Sequence, residues 1–137
     1  MASTITIRLA KPHEGPLVKH LFTQGGGPAW DWLDWANVYP YWLIGEVDGH
    51  PKGTIMVHPG TPFGRMDFLT LDQTLPMKTK ARLCRDLSYA GIASCKQMGA
   101  QAVISNIDSG DRSWTRIAAR RGWVSTGEGS YMMKRCV

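Results

Sequence analysis

Hydrophobic and polar positions alternate with period two at the start of the chain. Thr4-Ile5-Thr6-Ile7-Arg8-Leu9 therefore reads as a strand. Between Pro12 and Gln24 the period changes to that of a helix, with Leu17, Val18, Leu21 and Phe22 on one side. Gly25-Gly26-Gly27-Pro28 breaks it, and Ala29 to Val38 reads as a short helix in which Trp32 and Trp35 share a face. Tyr41 to Val47 and Gly53 to His58 form a hairpin around Asp48-Gly49, a strong tight-turn pair. After the loop Pro59-Gly60-Thr61-Pro62, Gly64 begins a further strand, with Met66 to Leu71 as its β-favouring part.

Lys78 to Met98 contains no proline, and Leu83, Leu87, Gly91, Ser94 and Met98 recur at helical spacing. Cys84, Ile92 and Cys95 lie on a neighbouring face, so the pattern predicts a slim helix, apolar over most of its girth and packed against a sheet. Gly99 stops it, and Gln101 to Asn106 returns as a strand. Ile107 to Asp111 is a capping stretch for a helix from about Asp111 to Arg121. That helix turns Trp114, Ile117 and Ala118 inward and Arg112, Arg116 and Arg120 outward, and Gly122 closes it. Trp123 to Thr126, a Gly127-Glu128-Gly129 turn and Tyr131 to Lys134 give a last hairpin.

The long helix has an unusual start. Lys78, Lys80, Arg82 and Arg85 crowd its first two turns, where the helix dipole disfavours cations by about 0.3–1 kcal/mol each. Unpaired backbone N–H groups already favour an anion there, so the cluster suits a phosphate group as well as it suits a solvated basic face.

Composition narrows the choice. At 137 residues, 43% hydrophobic and 20% charged, the chain is expected to be one domain, 1–137, with a core of its own. No apolar run approaches the roughly 18–20 residues that span a bilayer, and Arg8, Lys11, His13 and Glu14 interrupt any signal-peptide core. Cys84, Cys95 and Cys136 are odd in number, and the first two sit about 16 Å apart along one helix, too far to bridge. Buried thiols in a reducing cytoplasm fit best, and no Cys/His spacing suggests a metal. The net charge of +5 and pI near 9.3 invite a nucleic-acid reading. Three of the six tryptophans, however, lie beside Asp31 and Asp34, which repel phosphates, so that reading stays minor. The glycine run lacks the lysine and hydroxyl of a P-loop and reads as a hinge. Trp30, Asp31 and Asp34 allow two readings, rings plugging the edge of the core or an aromatic, acidic lid over a cationic substrate.

The order of these elements, with Ile7-Arg8-Leu9-Ala10, the Asp48-Gly49 hairpin followed by Gly53, and Asn106 upstream of Arg121-Gly122-Trp123, resembles the GCN5-related N-acetyltransferase superfamily over nearly the whole chain. The resemblance implies an α+β fold of three layers, a mixed, mostly antiparallel sheet with helices on both faces. It implies acetyl-coenzyme A as co-substrate, no metal, and a primary amine as acceptor.

In that superfamily the turn before the long helix wraps the pyrophosphate in a pattern written Q/R-x-x-G-x-G/A. The corresponding turn is Gln73 to Ala81, with Thr79 and Ala81 at the glycine places, so Lys78, Lys80 and Arg82 would compensate by charge. The resemblance gives Leu69 and Leu71 the backbone contacts to the bound thioester. It makes Asn106 a polar contact to the cofactor arm, the alternative being a turn residue. It makes Asp67 the base, the alternative being an exposed strand residue or an ion pair with Arg65 or Arg8, and Asp72 lies near the end of the same strand. The superfamily's tyrosine acid falls on Ala118, with Tyr89 and Tyr131 as distant substitutes.

Two functions follow from different classes. One is an acyl-coenzyme A-dependent N-acyltransferase, moving an acetyl group to a small-molecule or protein amine, with Trp30, Asp31 and Asp34 as acceptor surface. The other is a catalytically impaired chain of the same fold serving as a binding or structural module, as a homodimer or in a larger assembly, without a membrane.

Overall fold

In a computed structural model, described over residues 2–106, 112–125 and 131–136, the strands are β1 (Ile5–Leu9), β2 (Trp42–Val47), β3 (His50–His58), β4 (Phe63–Leu71), β5 (Ala102–Asn106), β6 (Val124–Ser125) and β7 (Tyr131–Arg135). The helices are α1 (Gly15–Gln24), α2 (Met77–Gln97) and α3 (Arg112–Arg120). The strands run in the order β1-β2-β3-β4-β5-β7-β6. The expected capping stretch up to Asp111 and the Gly127-Glu128-Gly129 turn lie outside the described residues.

The chain forms two compact units, residues 1–57 with 68–91, and residues 58–67 with 92–137. In the first, β1, β2 and β3 are antiparallel neighbours. Asp48 (φ 51) and Gly49 (φ 81) take the left-handed conformations that a two-residue hairpin demands. Helices cover both faces of β2. Trp42 turns its ring to Phe22 of α1 at 5.8 Å, whereas a Cβ on Gly45 would lie 2.5 Å from Leu83 Cδ1 of α2. Residues three apart on a strand point to opposite faces, so this unit has three layers. The α1 face holds a core of Val18, Leu21, Phe22, Trp35, Trp42 and Ile44.

In the second unit, β4 and β5 pair in parallel from Phe63↔Ala102 to Arg65↔Ile104. β7 pairs antiparallel with the whole of β5 and with β6. Gly99 (φ 100) ends α2 and Gly122 (φ 89) follows α3, as the stop signals require.

Several expectations change. Residues 29–38 form no α-helix, only 3₁₀ turns at Trp35–Asn37 and Tyr39–Tyr41. Trp32 and Trp35 do not share a face: Trp35 is buried, its Nε1 donating to Trp30 O at 2.8 Å, while Trp32 is 78% exposed. α2 buries Leu83, Cys84, Leu87, Gly91 and Cys95 while Arg85 and Tyr89 stand in solvent, and Met98, expected on the buried face, lies just past the helix end and is exposed. Ile117 of α3 is exposed, while Ala118 is buried as expected.

Candidate functional site

β4 carries the main irregularity of the fold. Gly64 and Met66 are buried by alternation, then Asp67 is buried as well and the phase slips by one residue. At the slip Phe68 adopts φ 59, rare for a bulky residue and typical of a bulge. Among the described residues the ladder with β5 has ended just before, at Arg65↔Ile104, although β4 continues to Leu71.

Asp67 accepts hydrogen bonds at Oδ2 from Arg65 Nε (3.2 Å) and Nη2 (3.0 Å). Of the partners anticipated for it, Arg65 is the one found. Arg8 is instead engaged by Glu14, in a 2.6 Å contact, and by Glu46 at 3.5 Å.

The turn from Asp72 into α2 is tightly built. Asp72 is buried and accepts from Thr74 N (2.9 Å) and Oγ1 (2.7 Å) and from Lys52 Nζ (3.2 Å). Those Thr74 bonds, with Lys52 behind them, hold its carboxyl below the usual range, so Asp72 is a brace rather than a spare base. Gln73 Nε2 donates to Leu71 O at 2.9 Å. The first α2 bond is Lys80 N–H to Pro76 O (2.9 Å), so the amides of Met77, Lys78 and Thr79 precede the helical ladder.

The four cations expected at this end divide into two groups. Lys80 Nζ leans over the turn, 3.5 Å from Gln73 O, and Lys78 is exposed with no side-chain partner among the described residues. Arg82 donates through Nη2 to Ser3 O (2.9 Å), and Arg85 pairs with Asp86 (3.0 Å). Thr79 is half-buried and Ala81 exposed. This end suits an anion: unladdered amides, Lys78 with no side-chain partner among the described residues, Lys80 on one long bond to a backbone carbonyl, and no acidic residue in the first turn.

Trp30 is half-buried; Asp31 and Asp34 are exposed. Both carboxylates have partners, Lys19 Nζ for Asp31 (2.6 Å) and Asn37 Nδ2 for Asp34 (2.5 Å). The glycine run is no hinge. Cβ atoms on Gly25 and Gly27 would lie 2.6 Å from Thr70 Cβ and from the Phe22 ring, so the backbone itself packs there. Gly25 also closes on the main chain of Leu71, with N and O each 3.1 Å from its would-be Cβ. Leu69 is half-buried, and Asn106 ends β5 opposite Tyr131.

No protein-family profile matches the sequence, and no curated protein sequence matches it. Solved structures do match. Ard1 from Thermoplasma volcanium superposes with a TM-score of 0.75 at 16% identity, covering 97% of this chain and 98% of that one. PaiA N-acetyltransferase from Thermoplasma acidophilum, in complex with coenzyme A, gives 0.75 at 13% identity over 96% and 99%. A GNAT family acetyltransferase from Brucella melitensis, in complex with acetyl-coenzyme A, gives 0.66 at 13% over 96% and 88%.

The fold is that of the GCN5-related N-acetyltransferases.

Against the pattern of that acetyltransferase fold, this chain has Thr79 and Ala81 where glycines are usual, and Ala118 where a tyrosine is frequent. Ala118 is buried on α3, so it offers no proton donor there. The sequence missed the left-handed Phe68. Its signal was an aspartate in an otherwise apolar strand stretch, where regular alternation had no consistent side for it.

Proposed function

We propose that the chain binds an acyl-coenzyme A at the start of α2 and is an N-acyltransferase for a primary amine. The observation that carries this reading is the end of α2. Three amides precede its ladder, Asp72 braces the turn before it, and Lys78 and Lys80 stand beside it with no carboxylate partner among the described residues. Solved neighbours that hold coenzyme A or acetyl-coenzyme A share the fold, which supports the same ligand.

In this reading the amides of Lys78 and Thr79 with the lysine ammonium groups bind the diphosphate, in place of the closer backbone cradle that glycines would give. Ala81 is exposed, so its methyl intrudes little, and Arg82 adds charge through the guanidinium edge not given to Ser3. The bound group supplies a thioester, which the acceptor amine opens to an amide and a free thiol. A backbone N–H in the stretch Leu69 to Leu71 polarises the carbonyl, and Gln73 yields the Leu71 carbonyl to the ligand. Asp67 takes the proton that the amine must lose, directly or through water, since amines are mostly protonated at neutral pH.

Calorimetric titration with acetyl-coenzyme A tests this. Saturable heat at micromolar concentration is the expected result; none up to about 1 mM, a binding energy of about 4 kcal/mol, removes it. Ala118 favours the second reading, a binding module of the same fold without turnover, which predicts saturable binding and no thiol release with any amine.

A further inference from the structure

The first unit gathers six aromatic side chains, and three of them lead from the core to water. Phe22, Trp35 and Trp42 are buried together. Trp30 lies 5.2 Å from Phe22, then 5.4 Å from Phe68 and 6.0 Å from Trp32, by ring centroids. Phe68 is 44% exposed and Trp32 more so. Phe68 holds its ring there from a left-handed backbone that glycine would adopt without strain. Phe22, Trp30 and the stacked Trp42 pack against that ring and still leave the residue 44% exposed.

A polar group on the same face is also unspent. Thr70 Oγ1 is buried with no hydrogen-bond partner among the described residues. A Cβ on Gly25 would touch Thr70 Cβ, and one on Gly27 would touch the Phe22 ring, which lies 5.7 Å from Phe68. Thr70 and the Phe68 ring therefore both face the carboxyl end of α1. The segment that carries Trp30 and Trp32 also carries two exposed carboxylates. Asp31 pairs with Lys19, whereas the partner of Asp34 among the described residues is the neutral Asn37.

We propose that this row of rings seats the acceptor, and that the acceptor is a protonated primary amine on an aromatic or bulky apolar body. The inference rests on the acyl-transfer reading above and names its substrate class. Trp30, Trp32 and Phe68 take the apolar body and lend their faces to the cation. Asp34, on the same segment, adds the negative charge that favours an ammonium, and Thr70 Oγ1 accepts a hydrogen bond from it.

The test is calorimetry on the full chain with 2-phenylethylamine, 2-phenylethanol and ethylamine, and acetyl-coenzyme A titrated in parallel. The expected result is 2-phenylethylamine binding at least about tenfold tighter than either fragment probe. Trp32→Ala should weaken it by about fivefold without moving Tm, because that ring is largely in water. Thr70→Val should weaken it by a similar factor while holding or raising Tm, since it removes a buried unpaired hydroxyl. Equal binding of ethylamine, no binding of 2-phenylethylamine at about 10 mM, or indifference to both substitutions would overturn the proposal. If acetyl-coenzyme A binds and the amine preference is missing, this inference falls and acyl transfer stands. If the preference holds and acetyl-coenzyme A gives no heat, the amine seat stands and acyl transfer falls.

Discussion

Arg8 and Glu14 grip each other through two hydrogen bonds, Nη1 to Oε1 at 2.6 Å and Nη2 to Oε2 at 2.7 Å. Lys11 N adds a third bond to Oε1 at 2.8 Å. This couple ties β1 to the start of α1, and Glu14 is buried within it. The Arg8 hydrogen bonds, more than burial opposes them, pull the Glu14 carboxyl down to about 2, and the Arg8 guanidinium is raised in turn.

Acid should therefore loosen the first unit. A carboxyl lowered on folding contributes stability that is complete above its unfolded pKa and is lost as pH falls through the folded value. For Glu14 the window runs from 4.5 down to about 2. The stake is on the order of 3 kcal/mol. Glu14→Gln should lower the urea midpoint at pH 7 and flatten its decline between those limits. A variant whose midpoint falls with acid as steeply as the parent would remove the pair from the account.

Gly45 should tolerate no side chain. Its Cβ would lie 2.5 Å from Leu83 Cδ1 and 3.3 Å from Leu87 Cδ1, and both leucines are wholly buried. Gly45→Ala then forces α2 away from β2 at a cost of about 1–3 kcal/mol. Gly26 meets nothing within 4 Å but has φ 103, so Gly26→Ala costs through backbone strain instead. Circular dichroism melts should show Gly45→Ala lowering Tm, and restoring it with a smaller residue at Leu83 would identify the clash as the cause.

The element order was legible because period and turn chemistry agreed along the chain: alternation in β1, Asp48-Gly49, Gly99, Gly122. What escaped depends on tertiary contacts. Met98 fits the helical spacing of Leu83 and Leu87, yet it is exposed, because spacing does not say where a helix outruns its sheet. The tryptophan segment looked helical from its i,i+3 spacing, but it buries Trp35, packs Trp30, Leu33 and Val38 beside it and closes in 3₁₀ turns. Arg82 looked like one of four phosphate-seeking cations, and its partner Ser3 is 79 positions away. In the candidate site the basic start of α2 was readable, whereas the slip at Asp67 and Phe68 was not, since only the loss of the β5 ladder explains it.

Phe68 gives a test in which two rules oppose each other. In an ordinary strand, stability should rise from glycine through alanine to valine. At φ 59 the order reverses, because a β-branched side chain is the worst fit to left-handed backbone. Phe68→Gly should thus be more stable than Phe68→Ala, and Phe68→Val the least stable, with about 1–2 kcal/mol across the series. Urea titrations that rank valine highest would mean that β4 runs straight.

Lys78 and Lys80 at the start of α2 should act on ligand affinity and leave the fold alone. Lys78→Ala and Lys80→Ala should each weaken acetyl-coenzyme A by about three- to tenfold, with Tm within a degree or so of the parent. The loss should shrink as salt is raised, since the contribution is from exposed charge. Arg82→Ala should behave differently and lower Tm, because Arg82 Nη2 holds the Ser3 carbonyl beside β1. Calorimetry at two salt concentrations, alongside melts, separates the two behaviours.

Asp67 offers the sharpest division between an enzyme and a module. If it accepts the amine proton, Asp67→Asn keeps the buried shape and the acetyl-coenzyme A affinity but lowers kcat by about 10²–10⁴-fold. Arg65 holds the carboxylate in place through Oδ2, Nη2 donating at 3.0 Å and Nε at 3.2 Å. Arg65→Gln should loosen that hold and lower kcat while leaving acetyl-coenzyme A affinity unchanged. Thiol release assayed with a trapping reagent reads both effects. A full rate in Asp67→Asn would leave the proton to water, and Asp67 would be only the Arg65 partner that steadies β4 where it breaks from β5.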